Sequence, residues 1–299
     1  MRWTHWRFTT LAILSWRAIT FLVMAPILIC TDLDRTLLPN GPQSESPGAR
    51  PLLARIVGRP EVSFAFVSGR RLALHEEAIA EYNLPMPRFI VADVGATIWR
   101  RENDRWTEES TWHEKLAVAW ENRTWREILP TVADISGLEL QEEEAQSAHK
   151  LSFNVPVIQD RERILTEVHR RLDAAGIPAQ LIWSVDETVP MGLLDVMAPG
   201  ANKHAAVEHV IRISGVPRDR VLYAGDSGND LPMLVSDLAS VLVAEFRQEA
   251  KKEAGAAGHA HRLHIAAGSL PGLNGCYSAG ILEGLVHFFP ETRAWLERP

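Results

Sequence analysis

The sequence has little cysteine, no excess of positive charge and no long apolar run, and each shortage removes a class of function. Only Cys30 and Cys276 occur in 299 residues, too few and too far apart for a disulfide framework or a zinc site. Cys30 lies in an apolar stretch and reads as a small core residue. A reducing, cytoplasmic setting is the plain expectation. The formal net charge is −7, so the molecule as a whole does not attract nucleic acid or an anionic membrane. An anionic ligand would need a local cationic pocket. The 11 histidines show no metal-binding spacing such as His-Glu-x-x-His. His75, followed by Glu76 and Glu77, reads as a helix-surface residue. No internal repeat or low-complexity segment is evident.

The apolar stretch 18–30 spans 13 residues, against the roughly 20 needed to cross a bilayer. Arg17 interrupts any longer run, and no small-residue cleavage site would leave the next strand intact. Residues 1–23 carry Arg2, Arg7 and Arg17 and no acid. They read as an N-terminal extension, most simply a start assigned too early with Met24 the natural start. A loosely packed tail and a membrane or targeting segment are the other readings.

What is present is ordinary globular material, 46% apolar and 23% charged, with length enough for one or two cores. Residues 26–33 form a continuous apolar run closed by polar residues, the pattern of a fully buried parallel strand. A Pro/Gly-rich stretch at 39–48 and a short helix at 50–57 follow. Further buried strands are expected at 62–67, 89–92 and 220–224, with a helix at 71–82 and another at 202–214. Alternating strand and helix predicts an α/β fold with a doubly wound, Rossmann-like parallel sheet. Between them the character changes. Residues 99–125 hold five of the ten tryptophans, more simply packing residues than sugar-stacking ones. A helix at 112–136, a strand at 150–155, a helix at 161–175 and a strand at 180–184 predict an inserted smaller α/β cap domain. The expected division is 24–98 and 193–299 for the core and 99–192 for the cap, with 193–197 leading back to the main sheet.

Four short segments carry chemistry, each just past a predicted strand or at a helix start. Asp32-Leu33-Asp34-Arg35-Thr36 places two carboxylates two residues apart, where ligands of open parallel sheets bind. Such a pair calls for a cation or a shared proton. A carboxylate can also attack phosphorus while a second acid protonates the leaving oxygen. Ser68-Gly69-Arg70 offers a hydroxyl and an open amide to a phosphate. Lys203 opens a helix, a good place for a phosphate-binding charge. Gly225-Asp226-Ser227-Gly228-Asn229-Asp230 adds two more acids, and the absence of a Glu at the twelfth position excludes an EF-hand loop. Each alone has a bland reading as a solvated turn or surface lysine; the fixed order of all four is specific.

That order resembles the haloacid dehalogenase superfamily of phosphatases, and the insert resembles its type IIB cap. Val94-Gly95 followed by Ile98, Lys150-Leu151-Ser152-Phe153, residues 195–203, the loop from Gly225 to Asp230 and residues 278–283 resemble sucrose-phosphate phosphatases within it. The resemblance implies Asp32 as nucleophile and Asp34 as general acid/base. It implies a phosphate and substrate site of Ser68, Gly69, Lys203 and Asn229, with Arg70 facing the cap or substrate. It implies Mg2+ held by Asp32, the Asp34 main-chain carbonyl and Asp226, with Asp230 in support, and sugar contacts from Lys150 and Ser152. The expected substrate is sucrose 6-phosphate, with mannosylfructose phosphate or another sugar phosphate as alternatives, and the cognate synthase as a conceivable partner. A phosphomutase or a non-catalytic partner of a synthase fits less well, since both acids are present. Arg35 departs from the family pattern at a position often small, and His204 stands where glycine is usual. Segments 184–191 and the stretch before Cys276 are longer than in close sucrose-phosphate phosphatases.

Overall fold

A computed structural model of the chain describes residues 25–156, 159–186, 191–226, 230–243, 252, 256 and 258–297. The N-terminal extension, Asn229 and residues 187–190 lie outside the described residues.

The apolar runs form strands as expected. β1 (Ile27–Thr31), β2 (Val62–Val67) and β3 (Phe89–Ala92) are buried almost throughout. β4 (Thr97–Glu102) and β5 (Arg105–Glu108) follow as a hairpin, turning at Asn103 and Asp104, both left-handed, as two-residue hairpin loops require. The insert then supplies β6 (Glu139–Leu140), β7 (Lys150–Pro156), β8 (Gln180–Asp186) and β9 (Met191–Met197). The chain returns through β10 (Val221–Gly225), β11 (Ala239–Leu242) and β12 (Leu263–Ile265). The main sheet runs β12-β11-β10-β1-β2-β3-β4-β5, parallel from β12 to β3 and antiparallel through the terminal hairpin.

Period-two alternation sorts each strand between two cores. Ile27, Ile29, Phe64 and Phe66 face α1 (Ala49–Val57) and the C-terminal helix Ser278–Phe288. Leu28, Cys30, Ala65 and Val67 face the helix Lys203–Ser214, and their cluster continues into the insert through Trp120, Ile128 and Phe153. The insert's sheet runs β6-β7-β9-β8 and is antiparallel.

Three expectations are corrected. Residues 193–197 do not lead back to the main sheet: they lie in β9, an inner strand of the insert paired with β7 and β8. The boundaries expected at 98/99 and 192/193 therefore cut through β4 and β9. The helix expected at 112–136 is two helices, Ser110–Ala119 and Trp125–Val132, because Glu121 and Asn122 turn left-handed between them. A capping box of Thr124 and Glu127 starts the second. His75 is not on a helix surface. It lies fully buried in Leu72–Tyr82, its ring stacked on Phe66 and its Nδ1 bonded to the Arg71 carbonyl at 2.9 Å. The tryptophans do pack: Trp112 and Trp120 are buried, their indole N–H groups donating to the Gly95 and Pro178 carbonyls. No helix among the described residues is long and apolar enough to cross a membrane.

Candidate active site

The site follows from strand order. β1 and β10 are neighbours, and the chain runs from β1 toward β3 and from β10 toward β12, opposite edges of the sheet, so a crevice opens beyond the carboxyl ends of β1 and β10. Asp32 comes directly after β1, and its amide still donates to the Ala224 carbonyl at 2.9 Å. Asp226 comes directly after β10. Ser68 comes directly after β2, its amide on the Val91 carbonyl at 2.9 Å. The nucleophile candidate thus sits on the ladder itself and inherits its rigidity.

Lys203 reaches these acids from the first turn of the helix Lys203–Ser214, whose N-cap Asn202 accepts from the Ala205 amide at 2.9 Å. Its Nζ donates to Asp32 Oδ1 and to Asp230 Oδ1, each at 2.7 Å. Tyr223 of β10 donates its hydroxyl to the same Asp230 oxygen at 2.7 Å. The Asp226 amide donates to Asp230 Oδ2 at 3.3 Å, and Thr36 Oγ1 to Asp226 Oδ1 at 3.5 Å. Asp32, Asp226 and Asp230 are buried and offer carboxylate oxygens within 4.8 Å of one another.

Burial, then the Asp230 charge, push the Asp32 carboxyl well above its ordinary range, against the pull of Lys203. Burial works against the Lys203 ammonium too, but Asp230 and Asp32 outweigh it and hold the lysine charged. Three buried carboxylates against one ammonium leave uncompensated negative charge, which a divalent cation relieves. An all-oxygen donor set suits magnesium, so the residues present fit that ion.

Asp34 takes no part in this triad. Its half-exposed carboxylate accepts Arg70 Nε on Oδ2 at 2.9 Å and Arg70 Nη2 on Oδ1 at 2.6 Å. Asn40 Nδ2 adds a third bond to Oδ1 at 2.7 Å. Burial would raise the Asp34 carboxyl, but Arg70 outweighs it and sets it below the usual range. Arg70, expected at the cap or substrate, is thus on the second acid, with its amide on Ser68 Oγ at 3.2 Å. Gly69 is exposed beside it.

The insert residues are engaged elsewhere. Lys150 is buried and paired with Asp93 of the core at 3.3 Å. Ser152 is buried and donates to Asp195 at 2.5 Å. Tyr223 and Asn40 join the site without having been singled out from sequence, and Thr36, which closes the first motif, joins it through Asp226. Tyr223 had a signal: a phenol inside an apolar strand needs a polar partner for its hydroxyl.

The family model for sucrose-6F-phosphate phosphohydrolase matches residues 25–289, nearly all the described chain. The chain belongs to that family. It is a phosphatase of the haloacid dehalogenase superfamily. A HAD-like hydrolase of Nitrosococcus oceani is 45% identical over 274 residues, covering 91% of this chain and 74% of that protein. The mannosylfructose-phosphate phosphatase of Agrobacterium fabrum is 26% identical over 212 residues, covering 70% and 79%. Among solved structures, the sucrose-phosphatase from Synechocystis in complex with sucrose and phosphate superposes with a TM-score of 0.68 at 24% identity, over 89% of this chain and 98% of that one. At that identity the likeness speaks for the fold.

Proposed function

We propose that this phosphatase hydrolyses a disaccharide phosphate, sucrose 6-phosphate first, through an aspartyl-phosphate on Asp32. The observation that carries the reading is the convergence of Asp32, Lys203, Asp226 and Asp230 beyond β1 and β10, with Asp34 two residues from the nucleophile. Asp32 attacks phosphorus as the bond to the sugar oxygen breaks, and Asp34 protonates that oxygen. Asp34 then takes a proton from water as water attacks the phosphoryl group and frees Asp32. Lys203, Ser68 and the Gly69 amide hold the phosphoryl oxygens. Asp32, the Asp34 carbonyl and Asp226 would hold magnesium, braced by Asp230. The ion would supply charge neutralisation where a dianion meets a carboxylate.

Selection among sugars falls to the insert, with Lys150 exchanging Asp93 for sugar hydroxyls and Ser152 beside it. The Agrobacterium relative makes mannosylfructose phosphate the second candidate. A sugar-phosphate synthase that makes either ester is the proposed partner. The test is phosphate release from a panel of sugar phosphates, with and without magnesium, by wild type and Asp32→Asn. Release that is magnesium-dependent, highest on sucrose 6-phosphate and absent in Asp32→Asn is expected. No release from any ester refutes the reading, and transfer of phosphate between positions without release would identify a phosphomutase. Equal rates on monosaccharide phosphates would refute the disaccharide assignment.

A further inference from the structure

Asn40 binds two things at once, and both belong to the segment that carries Asp32 and Asp34. Arg35 adopts a left-handed backbone with φ of 59, a region comfortable for glycine and costly for arginine. Its amide donates to Asn40 Oδ1 at 2.8 Å. The other end of the same side chain, Nδ2, donates to Asp34 Oδ1 at 2.7 Å. One end must accept and the other must donate, so the two bonds fix the amide's orientation without ambiguity.

Asp34 has a second partner of a different kind. Arg70 covers both carboxylate oxygens, Nε on Oδ2 and Nη2 on Oδ1. An acid that gives a proton to a leaving oxygen must carry that proton on an oxygen no donor occupies. Asn40 meets this condition, since it holds Oδ1 and leaves Oδ2 open. Arg70 does not. A phosphate dianion is an equally good bidentate partner for a guanidinium, so an arriving substrate gives Arg70 somewhere else to go.

We propose that Asn40 is the positioning residue of the acid step: it holds Asp34 by Oδ1 and the Arg35 turn together, so that Asp34 keeps its orientation when Arg70 turns to the substrate phosphate. In that step the bond from Asp32 to phosphorus forms, the bond from phosphorus to the sugar oxygen breaks, and the proton on Asp34 Oδ2 passes to the departing oxygen. The inference rests on the phosphatase reading above, in which Asp34 is the acid. It explains how this chain tolerates Arg35 where the family pattern favours a small residue: the strained amide has a dedicated acceptor.

The test compares two esters that differ in their need for an acid. p-Nitrophenyl phosphate has a leaving group that departs without a proton; a sugar phosphate does not. kcat/KM reports phosphoryl transfer to Asp32 for both. In Asn40→Ala, kcat/KM on the better of sucrose 6-phosphate and glucose 6-phosphate should fall at least about tenfold, a part of the 10²–10⁴ a general acid contributes. kcat/KM on p-nitrophenyl phosphate should fall by much less, the residual loss reporting the freed Arg35 turn, and that retained activity certifies an intact fold and nucleophile. Asn40→Asp keeps the acceptor for Arg35 and removes the donor to Asp34, so it should show the same selective loss; it decides the matter should Asn40→Ala fail to fold. Equal losses on both esters, or none on either, overturn the positioning role. A wild-type protein that hydrolyses neither ester overturns the phosphatase reading itself, a separate and visible failure.

Discussion

Gly95→Ala tests whether the turn after β3 sets the position of Lys203. Gly95 has φ of +101, and a Cβ there would lie 2.3 Å from the Asn202 carbonyl carbon, 2.4 Å from its oxygen and 2.8 Å from the Lys203 amide nitrogen. Non-bonded carbons rest at about 3.5–4 Å, so something must retreat by roughly 1 Å. The obstacles are backbone atoms, and no rotamer change relieves them. The turn itself is pinned: Asp93 and Val94 donate to the Arg70 and Ser68 carbonyls at 3.1 and 3.2 Å, and Trp112 donates to the Gly95 carbonyl at 3.1 Å. The strained backbone costs about 1–3 kcal/mol and the overpacking about 1–3 kcal/mol more. At a few degrees per kcal/mol, Tm should fall by on the order of 5–15 °C. The displaced residue carries the ammonium that spans Asp32 and Asp230 through two 2.7 Å bonds. Misplacing a catalytic group by about 1 Å costs on the order of 10²-fold in rate. The assay is saturating phosphate release at a temperature where circular dichroism shows the variant folded, beside a thermal melt. Wild-type turnover with an unchanged Tm would refute the claim that residues 93–95 hold the start of the Lys203 helix in place.

Two further outcomes follow from buried groups. Tyr223→Phe removes one donor from Asp230 Oδ1 and leaves Lys203 on it; Asp230 braces the proposed magnesium ligands, and support behind a metal ligand is worth about 10–100-fold in affinity, so half-maximal activity should need up to roughly tenfold more magnesium, read from a magnesium titration, with the saturated rate little changed. Burial pushes the His75 imidazole down from 6.5 to about 4. Its stability contribution is therefore complete above pH 6.5 and is lost as pH falls toward 4, where the unfolded chain takes up the proton first. At about 1.4 kcal/mol per unit the loss is on the order of 3 kcal/mol, and urea midpoints at pH 4.5 and 7 should differ less in His75→Leu than in wild type; an equal difference would remove His75 as a cause.

The sequence reveals most where burial is total. A parallel strand covered on both faces must be a continuous apolar run, so 62–67 and 89–92 appear in the structure with the expected bounds. The motifs were readable because each follows such a run, and strand ends in a doubly wound sheet converge. Membership in a sheet is not readable the same way. Leu193-Leu194-Asp195-Val196-Met197 is as apolar as β10, and nothing local says that its partners are β7 and β8. The break between Ser110–Ala119 and Trp125–Val132 did leave a local trace, Thr124 with Glu127 three residues on, masked by the helical periodicity around it. His75 looks like a surface residue in the sequence because Glu76 and Glu77 beside it are exposed; its own face of the helix packs on the sheet, with Ala78 three residues on.

Partners across the chain are the least legible part, and they decide how the chemistry is tied to selection. Arg70 meets Asp34 over 36 residues of sequence, and Lys150 meets Asp93 over 57. The second pair crosses from the insert to the core at a turn where Asp93, Val94 and Gly95 are all left-handed. Asp93 holds the Arg70 carbonyl through its amide, while Gly95 abuts the backbone of Asn202 and Lys203. Burial raises the Asp93 carboxyl and Lys150 opposes it, so a Lys150 that leaves for a sugar removes the cation stabilising Asp93. The three-residue turn touches Lys150 of the insert, the arginine paired with Asp34 and the lysine paired with Asp32. Left-handed Asp93 and Val94 carry strain that only such ties on every side would maintain. A change in the insert therefore has a short, stiff route to Asp34 and Lys203, and substitutions at Lys150 are expected to alter turnover as well as sugar preference.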